Sequence, residues 1–499
     1  MRTFKLITTV LILTIFTPFF AQESNVFLNR EFWKTNPSVS IVKKKIKLGN
    51  NPAQLNNNAF DAMSYALIEN VDNKTIKYLL KQPRNDVNKL THDGRTFIFW
   101  AAYKGNLEMM AYLVSQGAKT DIIDSHGYSV ASFAARSGVQ YIELYEFLVK
   151  HGAQFSEEKN HDGANALLLV ASSLNDFKLV EYFTSNGIDL NTTDNFGNGI
   201  FNYAAKGGNT KMLDRLIEKG ISHKGLNKNG GNAMLFASQG SRGGKTNLGT
   251  YMFLEEKGIA ANVIGENGRN PLHAISYNSE DLEIYRFFIK HGVDSNLQDN
   301  GGNSPFMNAA NSNTLPVVKF LYSYVKDINA KDENGQSALV MAVNRNDVDI
   351  IDFLLKKQAD INTVDNEENT LSYYLLNNFQ VNNTKAFEDK LSLLKSNGLV
   401  INQTQNNGNT LLHIATERSN LELLKRLETF DIDINAKNTN GFTVLQIAAM
   451  KAKHQDILKY LIGKGADKTV MTDFDESVYD LANENELLQQ RNIDINFLK

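Results

Sequence analysis

A turn signal that returns about every 33 residues constrains this chain more than any other feature. Its clearest copy runs from Thr91 to Asp124, THDGRTFIFWAAYKGNLEMMAYLVSQGAKTDIID. Asp93-Gly94 marks a turn, because glycine accepts the positive φ that tight turns demand. Thr96 stands at the N-cap of a first helix, its hydroxyl placed for an unpaired amide. Phe97, Ile98, Ala101 and Ala102 make an apolar stripe at helical spacing that ends at Gly105. A second helix would bury Leu107, Met109, Met110, Leu113 and Val114, with Gly117 as a left-handed C-cap. With Gly94 as the register mark, equivalent positions are Ala59, Gly127, Gly163, Gly197, Gly230, Gly268, Gly302, Gly335, Glu368, Gly408, Gly441 and Asp475. Neighbouring marks lie 33 to 40 residues apart. Two short helices cannot bury both their faces alone, so the period predicts a stack of helix pairs.

Two positions outside the turn keep the same register. Seven residues after the mark, alanine falls at Ala66, Ala101, Ala134, Ala204, Ala237, Ala309, Ala342, Ala415, Ala448 and Ala482. A small side chain there lets the helices of adjacent units approach closely. Six residues before the mark, asparagine falls at Asn88, Asn191, Asn262, Asn296, Asn329, Asn362, Asn402 and Asn435. Asparagine at a fixed loop site is expected to bond nearby backbone groups through its side chain.

Thr410-Leu411-Leu412-His413-Ile414-Ala415 and Asn270-Pro271-Leu272-His273 approximate a Thr-Pro-Leu-His-x-Ala helix opening, and Gly465-Ala466-Asp467 a Gly-Ala-Asp ending. In these residues the chain resembles the ankyrin repeat over about residues 36–490. The resemblance implies an all-α ankyrin-repeat solenoid of helix–turn–helix units with β-turn tips. Twelve repeats are expected over 59–474, with irregular units at 230–267 and 368–407. Residues 22–58 would hold an N-terminal segment and a capping half-repeat, and 475–499 a capping partial repeat. Ser40 to Gly49 reads as a lone second helix, onto which Phe27, Phe32 and Trp33 either pack or are left free. The unit at 368–407, with Glu368 at its turn and an insertion around Asn377 to Thr384, is the expected place for a bend or a division of the array.

The first residues stand apart. Arg2 and Lys5 precede an uncharged stretch from Leu6 to Phe20, and Ala21 suits the last position before a cleavage. This is the layout of a secretory signal peptide over 1–21, and the stretch is short for a membrane span. An uncleaved N-terminal anchor is the alternative. Export to the periplasm or the medium is therefore expected. The chain carries a net charge of −3, and loss of the two basic residues of the signal would leave −5. No cysteine is present, so packing alone must hold the fold and a thiolate nucleophile or thiolate metal site is excluded.

Several motifs have a simpler explanation than the chemistry they suggest. Gly243-Gly244-Lys245-Thr246 is reminiscent of a phosphate-binding loop, but Gln239 stands where that motif needs its first glycine. It also needs a preceding strand, which an inter-helix loop does not supply. His273 and His413 occupy the family's structural histidine position, where the resemblance implies a bond to turn backbone. His92, His126 and His161 sit beside successive marks, about 10 Å apart at helix-packing spacing, too far for one zinc. No His-Glu-x-x-His, Gly-x-Ser-x-Gly or paired-carboxylate pattern occurs, and no cofactor or metal is expected.

What remains is the inner surface. The resemblance implies that partners meet the turn tips and the exposed end of each first helix, beside the mark and nine or ten residues after it. Those positions carry Arg95, Lys104, Arg136, Lys206, Arg345, Arg418 and Lys451, joined by Tyr103, Tyr128, Phe196, Tyr277 and Phe442. Arg and Tyr are enriched at binding hot spots. The set reads as a concave basic and aromatic track for a protein partner with an acidic surface; against this, a cation near a helix C-terminus also serves the helix dipole. A monomeric, non-catalytic scaffold of the cell envelope is the leading expectation. A secreted effector or toxin-associated binding protein is an alternative, and an enzyme with its site in the irregular inserts a third. Charge and export argue against nucleic acid, for which a basic patch or arm would be needed.

Overall fold

The computed structural model describes residues 25–240 and 246–499. The expected signal peptide and residues 241–245 of the glycine-rich loop lie outside the described residues. Those described form helices joined by turns, with isolated antiparallel bridges such as Ile123 with Ser129 in place of extended strands. The fold is thus the helix–turn–helix solenoid that the period predicts.

The turn mark has a uniform backbone. All thirteen mark residues hold a positive φ, from +58° at Ala59 to +84° at Gly197, including the non-glycines Ala59, Glu368 and Asp475. The alanines seven residues later are each 2% exposed or less. They lie where first helices pack on first helices, as Phe97–Tyr103 packs between Ala62–Ile68 and Val130–Arg136. Most second helices back their own first helix, Leu107–Ser115 doing so through buried Met109, Met110 and Leu113. Leu107 and Val114, expected in that buried set, are only half-buried. Thr96 is the N-cap of its helix, but its hydroxyl makes no capping bond, unlike that of Ser129 in the next repeat.

The fixed asparagine works over a longer distance than the turn chemistry suggests. Asn88 donates to the carbonyl of Gly117 at 2.9 Å and accepts from the amide of Lys119, also at 2.9 Å. Asn296 does the same to Tyr324 and Lys326, and Asn435 to Gly465 and Asp467. The side chain clips one repeat to the end of the next repeat's second helix.

The described chain divides into two compact units, one up to Ile200 and one from Phe201. In the first, the N-terminal residues are packed. Phe27 and Trp33 are fully buried, with the Trp33 indole donating to the Phe27 carbonyl at 2.9 Å. The helix Val39–Lys47 packs on Asn73–Leu80. The expected division at 368–407 is not found; that stretch lies inside the second unit. There Leu371–Asn377 and a long second helix, Thr384–Ser396, each pack on the preceding repeat, and Leu375 fills the alanine position at 0% exposure. At the C-terminus, Val478–Glu484 opens with a capping box between Ser477 and Asp480 and is followed by Glu486–Gln490.

Candidate protein-interaction face

Within each unit, several turn tips are tied to the next by their backbone. The amide two residues before a mark donates to the carbonyl one residue before the previous mark, as Ser125 does to Asp93 at 2.9 Å and Glu333 to Gly301 at 3.0 Å. Asn195 to Asp162, Asn366 to Asn334 and Thr439 to Asn407 repeat the bond. Within the tip, an Asp or Asn three residues before the mark accepts from the amides on either side of it. Asp124 accepts from His126 and Tyr128 at 2.8 and 2.9 Å. The tips joined in this way are held in register with one another.

In the first unit this face is aromatic. Phe60 packs on Tyr65, His92 and Trp100, with ring centroids 5.2, 4.4 and 5.6 Å apart. Trp100 and Tyr103 both pack on Phe133, and Tyr128 reaches the same ring. Two cations cap the cluster. Lys104 lies 5.9 Å from the Tyr103 ring and Arg136 5.1 Å from Tyr128, both within cation–π range. Trp100 and Phe133 were not singled out by sequence, although both stand six residues after a mark in adjacent repeats.

Arg95 is not part of the exposed track. It is 5% exposed, with its guanidinium bonded to Asp124 at 2.7 Å and to Asp93 at 3.0 Å and packed 4.3 Å from the Phe133 ring. It is the inter-repeat tie beneath the aromatics. Tyr128 is likewise buried at 7% and lies under Arg136. The position beside the mark turns inward in these repeats, so the exposed Lys104 and Arg136, with the half-buried Tyr103, carry the surface. Phe196 is exposed at 38%.

The histidines come closer than repeat spacing implies. The Nε2 atoms of His92 and His126 stand 3.4 and 3.2 Å from one carboxylate oxygen of Asp93. Burial alone would raise the Asp93 carboxyl, but Arg95, His92 and His126 outweigh it and hold the group below its ordinary range. His161 packs against Gly127 instead, its amide donating to the His126 carbonyl.

In the second unit the candidates sit in separate settings. Lys206 lies over Phe236 at 4.8 Å, and the exposed Tyr277 donates to Asn308 at 2.8 Å. Arg345 is exposed. Arg418 bonds Asn377 and lies 5.6 Å from the Tyr373 ring, on the wall of a cleft of about 230 Å³ lined also by Glu367, Asn369 and Glu417. Lys451 pairs with Glu417 at 3.0 Å, and Phe442 is half-buried with its carbonyl facing His413 at 3.1 Å. His413 and His273 are structural, as their position implies. Each closes a capping box with its N-cap residue and reaches the next turn through Nε2. Thr246, of the glycine-rich loop, donates its hydroxyl to the Ala237 carbonyl at 2.7 Å and so closes the helix before it.

Among the described residues no helix is long and apolar enough to cross a membrane. Models for ankyrin repeats match residues 40–159, 168–217 and, in overlapping segments, 241–472. The chain is similar to the Notch-regulated ankyrin repeat-containing protein of Xenopus tropicalis, 39% identical over 82 residues, which is 16% of this chain and 71% of that protein. The Homo sapiens protein of that name is 38% identical over the same share. Palmitoyltransferase AKR1 of Candida glabrata is 27% identical over 106 residues, 21% of this chain and 14% of that protein, a share too small to carry its activity across. Ankyrin arrays are protein–protein interaction scaffolds, and with the uniform turn marks, the first-helix stacking and the matched models together, the chain belongs to the ankyrin-repeat family.

Proposed function

We propose that this chain is an exported, non-catalytic scaffold that holds an acidic segment of a protein partner against the inner face of its repeats. The observation that carries the reading is the cation-capped aromatic cluster of the first unit. Lys104 and Arg136 have no carboxylate partner among the described residues, whereas Asp61, Asp93 and Asp124 on the same face are each paired internally with Lys89 or Arg95. A stretch of face on which these three acids are neutralised and the exposed cations stand on aromatic rings complements a negative surface. Export to the periplasm or medium is proposed on the signal-like layout of residues 1–21. Scaffold rather than enzyme is proposed on the family and on the structural roles found for His273, His413 and Thr246.

The test is affinity capture from the cell envelope fraction with wild-type protein and the double variant Lys104→Glu, Arg136→Glu, at low and high salt. The expected result is a partner retained by wild type at low salt, weakened by salt, and lost from the variant. Equal capture by both at both salts refutes the proposal. Recovery of the protein mainly from culture medium would favour the secreted-effector reading over an envelope scaffold.

A further inference from the structure

One register position collects exposed apolar side chains. Nineteen large hydrophobic residues are exposed among the described residues, and seven of them stand four residues before a turn mark: Leu55, Leu90, Ile123, Leu226, Ile264, Val364 and Met471. Single exposed apolar residues need no explanation, but a row in register does. Three are consecutive in the first unit, Leu55, Leu90 and Ile123, exposed by 40, 64 and 66%.

The backbone explains why these side chains face outward. The residues after Leu90 and Ile123 turn inward: Thr91 is 4% exposed and accepts from the Trp100 indole at 2.8 Å, and Asp124 is 5% exposed and bonded to Arg95. Neighbouring side chains of extended backbone point to opposite faces, so Leu90 and Ile123 are directed away from the repeat. They are no part of the core and make no stacking contribution that would require an apolar side chain. The row is linked to one of the cations through the tip backbone. Arg136 lies over Tyr128, whose carbonyl accepts from the amide of Asp124, the residue beside Ile123.

We infer that Leu55, Leu90 and Ile123 form an apolar ladder that docks an acidic amphipathic helix of the partner protein, with Lys104 and Arg136 meeting its acidic flank. The spacing selects a helix. Stacked repeats lie about 10 Å apart, and residues seven apart on a helix are separated by about 10.5 Å along its axis. A heptad-spaced apolar stripe drifts only ~20° per step, so three rungs stay on one face. An amphipathic helix laid on an apolar row is an established mode of peptide recognition. The inference rests on the proposed scaffold function and adds the form of the bound segment.

The probe is a labelled acidic peptide of about 20 residues with leucines seven apart, compared by fluorescence anisotropy with two others. One has the same composition with its leucines scattered round the helix. The other carries prolines that forbid an α-helix and favour polyproline II, and leucines three apart, which that helix sets on one face about 9 Å apart. The heptad peptide is expected to bind at least tenfold tighter than either. Leu90→Gln with Ile123→Gln should abolish that preference while circular dichroism stays unchanged, both side chains being exposed. Equal binding of the heptad and scattered peptides, tighter binding of the extended one, or no effect of the double variant each overturns the inference. If the double variant binds as wild type while Lys104→Glu, Arg136→Glu loses salt-sensitive capture of the envelope partner, the ladder is wrong and the basic face stands. If neither variant changes anything, both fail.

Discussion

Gly302→Ala should destabilise the second unit far more than Gly465→Ala, although both glycines hold positive φ. At Gly465 (φ +95°) an added Cβ would meet nothing within 4 Å, so only the left-handed backbone is penalised, by about 1 kcal/mol. At Gly302 (φ +77°) the Cβ would stand 2.7 Å from the Glu333 amide nitrogen and 2.8 and 2.9 Å from Asp332 backbone. The two tips must then part. That costs the Glu333-to-Gly301 hydrogen bond, about 1 kcal/mol, and roughly another 1–2 kcal/mol of crowding. Gly302→Ala should therefore cost roughly 3–4 kcal/mol in all. The assay is urea unfolding combined with hydrogen exchange at the Glu333 amide, because long arrays depart from two-state behaviour. Exchange there should rise about thirtyfold or more in Gly302→Ala relative to Gly465→Ala. Glu368→Gly is the converse case. The following tip does not lean on that carbonyl, since Asn406 donates to the Asn369 side chain at 3.1 Å, and relief of φ +66° should leave stability unchanged or raised by up to about 1 kcal/mol. Equal effects of the two glycine-to-alanine changes would refute tip contact as the reason for glycine at the mark.

Two further outcomes follow from buried groups. Burial lowers the pKa of His273 and His413 below the ordinary histidine value, so the folded state holds fewer protons than the unfolded state; stability is fully present above about pH 6.5 and is lost as pH falls below it. Gln446 makes the same capping box at the equivalent position, bonding Thr443 and Val470, so His413→Gln should keep stability at pH 7.5 and flatten the thermal-melt difference between pH 7.5 and 5.5. Arg95→Met strands the buried Asp124 carboxylate and should cost roughly 3–5 kcal/mol in urea unfolding, while a change below about 1 kcal/mol would contradict its role as a tie between repeats.

Much of the fold was legible because a register carries it. The mark predicted a left-handed residue even at Ala59, Glu368 and Asp475, where no glycine announces one, and the alanine position predicted close first-helix packing. What lay between repeats was less legible. Asn88 looks like a local turn residue until its partners prove to be Gly117 and Lys119. Arg95 shares its register position with Arg269, which bonds Asp299 as Arg95 bonds Asp124 yet stays exposed, and what differs is the Phe133 ring 4.3 Å and the Trp100 ring 5.4 Å from the Arg95 guanidinium. The insertion at 368–407 suggested a break, yet Leu375 fills the space an alanine would leave and the stack passes through. The division near Ile200 has no matching change in composition or period, so the sequence offered nothing to mark it.

Site-specific photocrosslinking in cells tests the account most directly, with the reactive group placed in turn at Lys104, at Arg136 and, on a second helix of the same unit, at the exposed Lys150. An inner-face scaffold predicts one protein adduct of the same mass from Lys104 and Arg136 and none from Lys150. An adduct from Lys150 alone would contradict it.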